Sequence, residues 1–489
     1  MAQQTIAIIG AGIGGLAAGC YAQRNGLKTQ IFESHSLPGG LCTSWKRNGY
    51  TFDGSVHHLA GCREGGPIYQ MWEELGAMPR ECVFPDRLTQ VESPQGEVFC
   101  VFVDIDRLEQ HMLESFPQDR REILNYTKAV RAFRKYDLLE VSVRRRIELL
   151  RYLPAVPLFA RRGFPTMASV GARFKNPFLR QAFPTIQYDW PELPAMLHLN
   201  MLAQCSRNNY GFPTGGSLPF AQSIATRYQE LGGTITYGSR VTKILTKGNR
   251  AAGLRLEDGT EFLVDAVISN ASAPSTLYQL LDEQLVDPKT RKRFAVPDDS
   301  MVMGLQISLG VARDLSNEPQ ALVLLQDKPV RIADQTLERV PVELYGFDST
   351  LAPNGKSMIK VALSTSSAHW STLAEQRSRY EAEKARAAEA VIDVLEKRFE
   401  GIREQIEVID VATPLTTERY TANGMNYGPE SGNPPMLAMM LSKPLTLPNL
   451  QRLQIVGQSA GGGGLNGCAV MGKKAVHSLC KELGIRFGS

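Results

Sequence analysis

The sequence predicts an α/β protein: a Rossmann-like, mostly parallel sheet assembled from discontinuous stretches of chain, with a mixed α+β domain inserted between them. Three observations carry this expectation. The β-branched run Thr5–Ile9 leads directly into the glycine fingerprint Gly10-Ala11-Gly12-Ile13-Gly14-Gly15. An acid, Glu33, closes the next apolar run eighteen residues after Gly15. Glycine-bearing strand-to-helix stretches return far downstream, so the sheet must draw on separated pieces of one 489-residue chain. A chain of this length outgrows a single hydrophobic core, which independently favours more than one lobe.

Each element follows from its composition. Thr5-Ile6-Ala7-Ile8-Ile9 is nearly all apolar, as suits a parallel strand buried on both faces. Gly10 permits the tight turn, Gly12 lets the backbone approach a pyrophosphate, and Gly15 allows close helix–strand packing. The helix that follows aims its N-terminal amides and positive dipole end at the phosphates. Leu16 to Ala22 are small and apolar, Gly26 is placed to end the helix, and Thr29-Gln30-Ile31-Phe32 reads as the second strand. Glu33 stands where a carboxylate accepts hydrogen bonds from an adenosine ribose and would repel a 2′-phosphate.

Beyond Glu33 the chain carries Pro38-Gly39-Gly40-Leu41-Cys42 and Gly49-Tyr50-Thr51-Phe52-Asp53-Gly54. A nicotinamide-binding domain needs no such second glycine pair. Tyr210-Gly211-Phe212-Pro213-Thr214-Gly215-Gly216 precedes a helix, and Gly238 to Ile244 and Asp265 to Ala271 read as further strands. Leu453-Gln454-Ile455-Val456-Gly457-Gln458, Gly461 to Gly464 and Leu465-Asn466-Gly467 deliver a last strand to a helix start. In this order, and over nearly the whole chain, these stretches resemble the flavin-binding pattern of the phytoene desaturase, carotenoid isomerase and retinol saturase family.

The resemblance implies noncovalent FAD held by Gly10, Ala11, Gly12, Ile13, Gly14, Gly15, Glu33, Gly39, Gly40, Leu41, Val241, Gly457, Gln458, Leu465 and Asn466. The last helix would point its N-terminus at the pyrimidine side of the flavin, stabilising the charge that accumulates there on reduction. Gln458 stands where the family more usually carries an acid. The implied substrate is an apolar polyene or isoprenoid lipid, carotenoid- or retinoid-like, acted on at a carbon–carbon double bond. Saturation, desaturation and cis–trans isomerisation stay open, because Gly457-Gln458 and Phe52 to His58 look closer to the saturases while Asn354-Gly355-Lys356, Thr413-Pro414 and Tyr427-Gly428-Pro429 look closer to the isomerases. His57 and His58 would lie near the flavin and are candidates to move a proton beside a hydride. Tyr427 and Glu430 are weaker candidates, and no residue is assigned as catalytic.

Two rival readings share this architecture. A flavin amine oxidase would need an aromatic pair from the C-terminal stretch, and Gly461 to Gly464 supplies none. A non-catalytic prenyl-lipid carrier resembling the GDP-dissociation inhibitors would lack a complete fingerprint with its ribose acid. No second glycine fingerprint follows a strand, so NADH or NADPH is expected to reduce the flavin slowly if at all.

Composition sets the remaining limits. With 54 Lys and Arg against 50 Asp and Glu, the net charge of +4 gives no reason to expect nucleic acid as a partner. Eight cysteines without a Cys-x-x-Cys pair and seven scattered histidines predict neither a metal site nor a disulfide framework, but reduced thiols and a cytoplasmic setting. The chain enters its first strand at Thr5 with no basic, apolar stretch before it, so no signal peptide is expected, and no apolar run is long enough to predict a membrane span.

The FAD-binding domain is placed at 1–65, 206–285 and 445–489, and the substrate domain at 66–205 and 286–444. The latter should contain a helical part from Ile105 to about Phe183, a strand-rich part including Met301 to Val311 and Ser357 to Ser364, and one helix over 372–399. That helix is expected to expose Glu375, Arg377, Arg379, Glu381, Glu383, Lys384 and Arg386. Residues 131–180 hold twelve basic side chains against three acids, interleaved with Leu149, Leu150, Tyr152, Leu153, Val156, Leu158 and Phe159. Apolar residues framed by arginine suit either a peripheral segment on an anionic bilayer or a solvated basic lid.

Overall fold

A computed structural model describes residues 3–144, 146–157, 165–187, 189–295, 301–421 and 442–488. Its first sheet runs in the order Thr234–Thr236, Lys28–Phe32, Thr5–Ile9, Ala266–Ser269, Leu450–Ile455, Arg250–Leu256, Val241–Lys247. The five strands from Thr234–Thr236 to Leu450–Ile455 are parallel, with Ile8 opposite Ile31 on one side and Ile268 on the other. Ile6, Ala7 and Ile8 are buried, as an apolar strand covered on both faces must be. Helix Ile13–Arg24 packs against Ser217–Glu230 and the C-terminal helix Gly464–Glu482, burying small residues such as Ala17, Ala18 and Ala469. The expected α/β class with a parallel sheet is present.

The second sheet has seven strands, in the order Ile406–Ala412, Met301–Val311, Ser357–Ser366, Gln335–Leu344, Ala321–Ile332, Arg87–Glu92, Val98–Phe102. Its strands alternate with the period of two that a pleated sheet imposes. Ile307, Leu309, Val340, Leu344, Ile359 and Val361 share a core with Ala387, Val391, Ile392 and Leu395 of helix Arg377–Arg398. The alternate positions Gln306, Glu343, Lys360 and Ala362 face a cavity instead. The helices Ile105–Ser115, Arg120–Phe133 and Ala195–Cys205 lie within the expected helical part or just beyond it.

Two expectations need correction. Residues 372–399 do not form one helix but belong to two, Ser367–Ala374 and Arg377–Arg398, because Gln376 takes an extended conformation. The bend sets buried Trp370 edge-on to Tyr380, 5.7 Å between ring centroids, while the Trp370 indole donates to Thr365 Oγ1 at 2.7 Å. Glu383 is not on an exposed face: it is buried, paired with Arg386 and 3.7 Å from His369.

The charge excess in 131–180 is also smaller than the count suggests, because Arg131 is neutralised from outside the window, while Arg144 takes up two of the acids inside it. Arg131 pairs with Asp106 at 2.5 Å and Glu109 at 2.6 Å, and Arg144 with Glu140 at 2.5 Å and Glu148 at 3.3 Å. Leu150, Leu153 and Val156 are 59%, 61% and 53% exposed. Arg145 and residues 158–164 lie outside the described residues, as do Tyr427 and Glu430. Among the described residues no helix is long and apolar enough to cross a membrane.

Candidate active site

The fingerprint folds as its residue types require. Gly10 has φ +87°, a left-handed conformation unsuited to side chains, and its N–H donates to Phe32 O at 2.8 Å. A Cβ on Gly15 would lie 2.1 Å from Gly10 O, so only glycine lets the helix start that close to the turn. Glu33, 7% exposed, accepts the Ala11 N–H on Oε2 at 2.6 Å and the His35 N–H on Oε1 at 2.8 Å. The second glycine pair is brought beside the first, with the Gly39 N–H donating to Ala11 O at 2.8 Å and Gly12 bridged to Gly39.

One cavity of about 1520 Å³ begins at this turn. Gly10, Gly12, Ile13, Gly14, Glu33, Gly39, Gly40, Leu41, Gly457, Gln458 and Leu465 all line it. Both helix starts, Ile13 and Gly464, open onto it, so two sets of amide donors and two positive dipole ends face the same space. Ala11, Gly15, Val241 and Asn466 do not line it. Val241 follows closely on Ser239, whose N–H donates to Glu33 O at 2.8 Å, which brings its strand close to Glu33. Asn466 is buried in the first turn of the last helix.

Asn270 was not among the expected site residues, although it directly follows strand Ala266–Ser269. A Cβ on Gly12 would lie 2.5 Å from its Nδ2, and one on Gly14 2.5 Å from its Oδ1. The absence of side chains at both positions therefore makes room for the Asn270 amide between the fingerprint and Gly457.

Away from the glycines the walls turn apolar, with Leu88, Ile186, Phe212, Leu322, Val323 and Phe347. Against them stands a polar network on the second sheet. Glu343 and Lys360 are direct cross-strand partners, with Lys360 Nζ 3.0 Å from Glu343 Oε2. Tyr345 donates to the same oxygen at 2.7 Å and accepts from Lys360 at 2.8 Å. His57 Nδ1 lies 2.9 Å from Glu343 Oε2, joining the predicted histidine to three residues the sequence reading missed.

Burial alone would raise the Glu343 carboxyl, but His57 and Lys360 outweigh it and hold the group well below the usual carboxylate range. His58 is pushed down to about 4 by burial and by the adjacent His57, so it is neutral at pH 7. The loop carrying both histidines is clamped by buried Asp53, which accepts the Ser217 N–H at 2.6 Å, the Ser217 hydroxyl at 2.7 Å and the Ser55 N–H at 3.1 Å. Burial nevertheless raises the Asp53 carboxyl.

The residues present fit an adenine dinucleotide flavin: a glycine turn and the start of helix Ile13–Arg24 for the pyrophosphate, an oriented acid for a ribose, and a second helix start at Gly464 for the flavin end. The volume exceeds the range of roughly 300–1,000 Å³ usual for one small ligand, so a second, apolar occupant has room. The family model described as flavin containing amine oxidoreductase matches residues 13–480. The chain is 28% identical to the chloroplastic prolycopene isomerase of Arabidopsis thaliana, over 98% of this chain and 83% of that protein. It is 25% identical to the all-trans-retinol 13,14-reductase of Rattus norvegicus, over 86% and 76% respectively. An oxidoreductase structure from Methanosarcina mazei aligns with TM-score 0.61 at 20% identity, covering 98% of this chain and all of that one, and shares the fold.

Proposed function

The chain belongs to the flavin-containing amine oxidoreductase family, and from that premise we propose that it is an FAD-dependent enzyme acting on a carbon–carbon double bond of a carotenoid- or retinoid-like polyene. The observation that carries this reading is the single cavity running from a dinucleotide cradle to an apolar chamber with one polar network in its wall. The likeness to a prolycopene isomerase and a retinol reductase supports the substrate class.

Gly10, Gly12 and Gly14, with the start of helix Ile13–Arg24, hold the pyrophosphate, and Glu33 holds the adenosine ribose. Gly39 to Leu41 and the stretch from Gly457 to Leu465 enclose the flavin end. FAD supplies hydride transfer to or from carbon when bound. The apolar walls bind the polyene and exclude water. Glu343 fixes the His57 ring through Nδ1, and Lys360 and Tyr345 fix Glu343, so His57 is placed to hold or release the proton that accompanies a hydride.

The exposed Leu150, Leu153 and Val156, with Arg151 among them, rest on an anionic bilayer from which the substrate is drawn.

Anaerobic incubation of the FAD-loaded protein with carotenoid and retinoid substrates, with the flavin first oxidised and then reduced, tests the reading by product chromatography. A polyene product changed in geometry or hydrogen content, formed only with FAD, is expected. Turnover of amines and of no polyene would overturn it.

A further inference from the structure

Cys20, Cys42, Cys205, Cys468 and Cys480 are buried, whereas Cys62 and Cys82 are half-buried and meet, with their Sγ atoms 3.1 Å apart. The fold builds this encounter. Strands Leu59–Ala60 and Cys82–Val83 both pair antiparallel with Tyr210–Pro213, in the registers Leu59 opposite Gly211 and Cys82 opposite Pro213. Just past the first strand, the Gly61 and Cys62 amides both donate to Asn209 O at 2.9 Å, which fixes the backbone at Cys62. One strand therefore holds two thiols that are distant in sequence. Their sulfurs stand only about 1 Å beyond the bonded separation of about 2.05 Å, a gap that small rotations close.

We propose that Cys62 and Cys82 form a redox-modification site, a dithiol that a peroxide converts to an intramolecular disulfide and a thiol reductant restores. Cys82 is the sulfur oxidised first. Either thiol can donate across this contact, but a Cys82 thiolate can only accept from Cys62. That hydrogen bond holds the Cys82 thiol below the ordinary cysteine value, against the opposing effects of burial and Glu81, and the thiolate is the reactive form. The Cys82 thiolate attacks one peroxide oxygen: an S–O bond forms, the O–O bond breaks, and the departing hydroxide takes up a proton as water. Cys62 then attacks the Cys82 sulfur: the S–S bond forms, the S–O bond breaks, and the hydroxide leaves with the Cys62 proton as a second water. Two thiols have lost two electrons and the peroxide has gained them.

The bridge would close the loop that carries helix Pro67–Glu74. It would also tie the segment just after His57 and His58 to the one leading into Leu88 and Thr89, both of which line the cavity. Oxidation therefore stiffens two walls of the site at once.

The test uses the purified full-length protein, treated with hydrogen peroxide or with dithiothreitol, alkylated under denaturing conditions and digested with trypsin. Peroxide should link the peptides spanning residues 48–63 and 81–87, with a loss of about 2 Da relative to the two free peptides, one hydrogen from each thiol. Dithiothreitol should abolish the link. In Cys62→Ser, Cys82 should instead accumulate as sulfenic acid, trapped by dimedone. In Cys82→Ser, Cys62 should stay alkylatable. The oxidised wild type should also melt at a higher temperature than the reduced form, a shift that both variants lose. Peroxide-treated wild type in which Cys62 and Cys82 both remain alkylatable, or in which Cys82 is over-oxidised without linking to Cys62, would overturn the proposal.

Discussion

Glu33 serves two ends in this structure, and its replacement separates them. Its carboxylate already accepts the amides of Ala11 and His35, which sets the fingerprint turn, and it keeps lone pairs for a ribose on the cavity side. Glu33→Ala should weaken FAD binding by about 1.5–3 kcal/mol, the worth of hydrogen bonds to a charged group. Titration of the apoprotein with FAD checks this, and unchanged affinity would place the ribose elsewhere. Gly15→Ala should instead disrupt the fold, because its Cβ would meet Gly10 O at 2.1 Å. Poor soluble yield or a clearly lowered melting temperature is the expected outcome. Gly10, Gly15 and Glu33 were legible in the sequence because their roles are local: turn, helix start and acid lie within one short stretch of chain. Asn270 was not, since only the folded chain brings its amide against Gly12 and Gly14.

At the scale of elements, the second sheet explains why the network was hidden. Glu343 and Lys360 occupy alternate positions in strands whose other faces feed a core, and Glu343, paired with Lys360, meets His57 across 286 residues of sequence. A signal was present: Lys360 interrupts the otherwise apolar stretch from Met358 to Leu363, where a charge is costly unless paired. Lys360→Met should destabilise the protein by about 3 kcal/mol, near the lower end for breaking a buried pair because Glu343 keeps contact with the cavity. Adding Glu343→Gln should recover part of that loss in a double-mutant cycle, measured by denaturant unfolding. Full additivity would mean that the two side chains do not interact. The segment Arg146–Ala155 makes its own prediction. Leu150→Ser with Leu153→Ser should reduce flotation with anionic vesicles, and equal recovery of variant and parent would leave the segment as a solvated lid. Charge counting overstated this region because Asp106 and Glu109, which neutralise Arg131, come from outside it.

For the whole molecule, buried histidines set the response to acid. His58 is pushed down to about 4 and His198, which touches Tyr126 and Gln187, down to about 3, both by burial. Below an unfolded value of about 6.5 the unfolded chain binds protons that these rings refuse, so each removes stability as pH falls towards its folded value. The depressed Glu343 acts in the same direction at more acid pH. Asp137, raised to about 6 by burial and by Glu140, acts oppositely, losing stability as pH rises from its ordinary range through 6. The melting temperature should therefore fall as pH is lowered from 7 to 4.5, and a flat profile would mean that the rings are protonated in the fold.

The central claim is that one cavity holds FAD and an apolar polyene side by side. It is tested most directly by titrating the FAD-loaded protein with a detergent-dispersed polyene under anaerobic conditions and recording the difference spectrum of the flavin bands. A saturable perturbation that detergent alone does not produce is the predicted result. Flavin bands that stay unchanged with every polyene, yet shift or bleach with amines, would contradict the account.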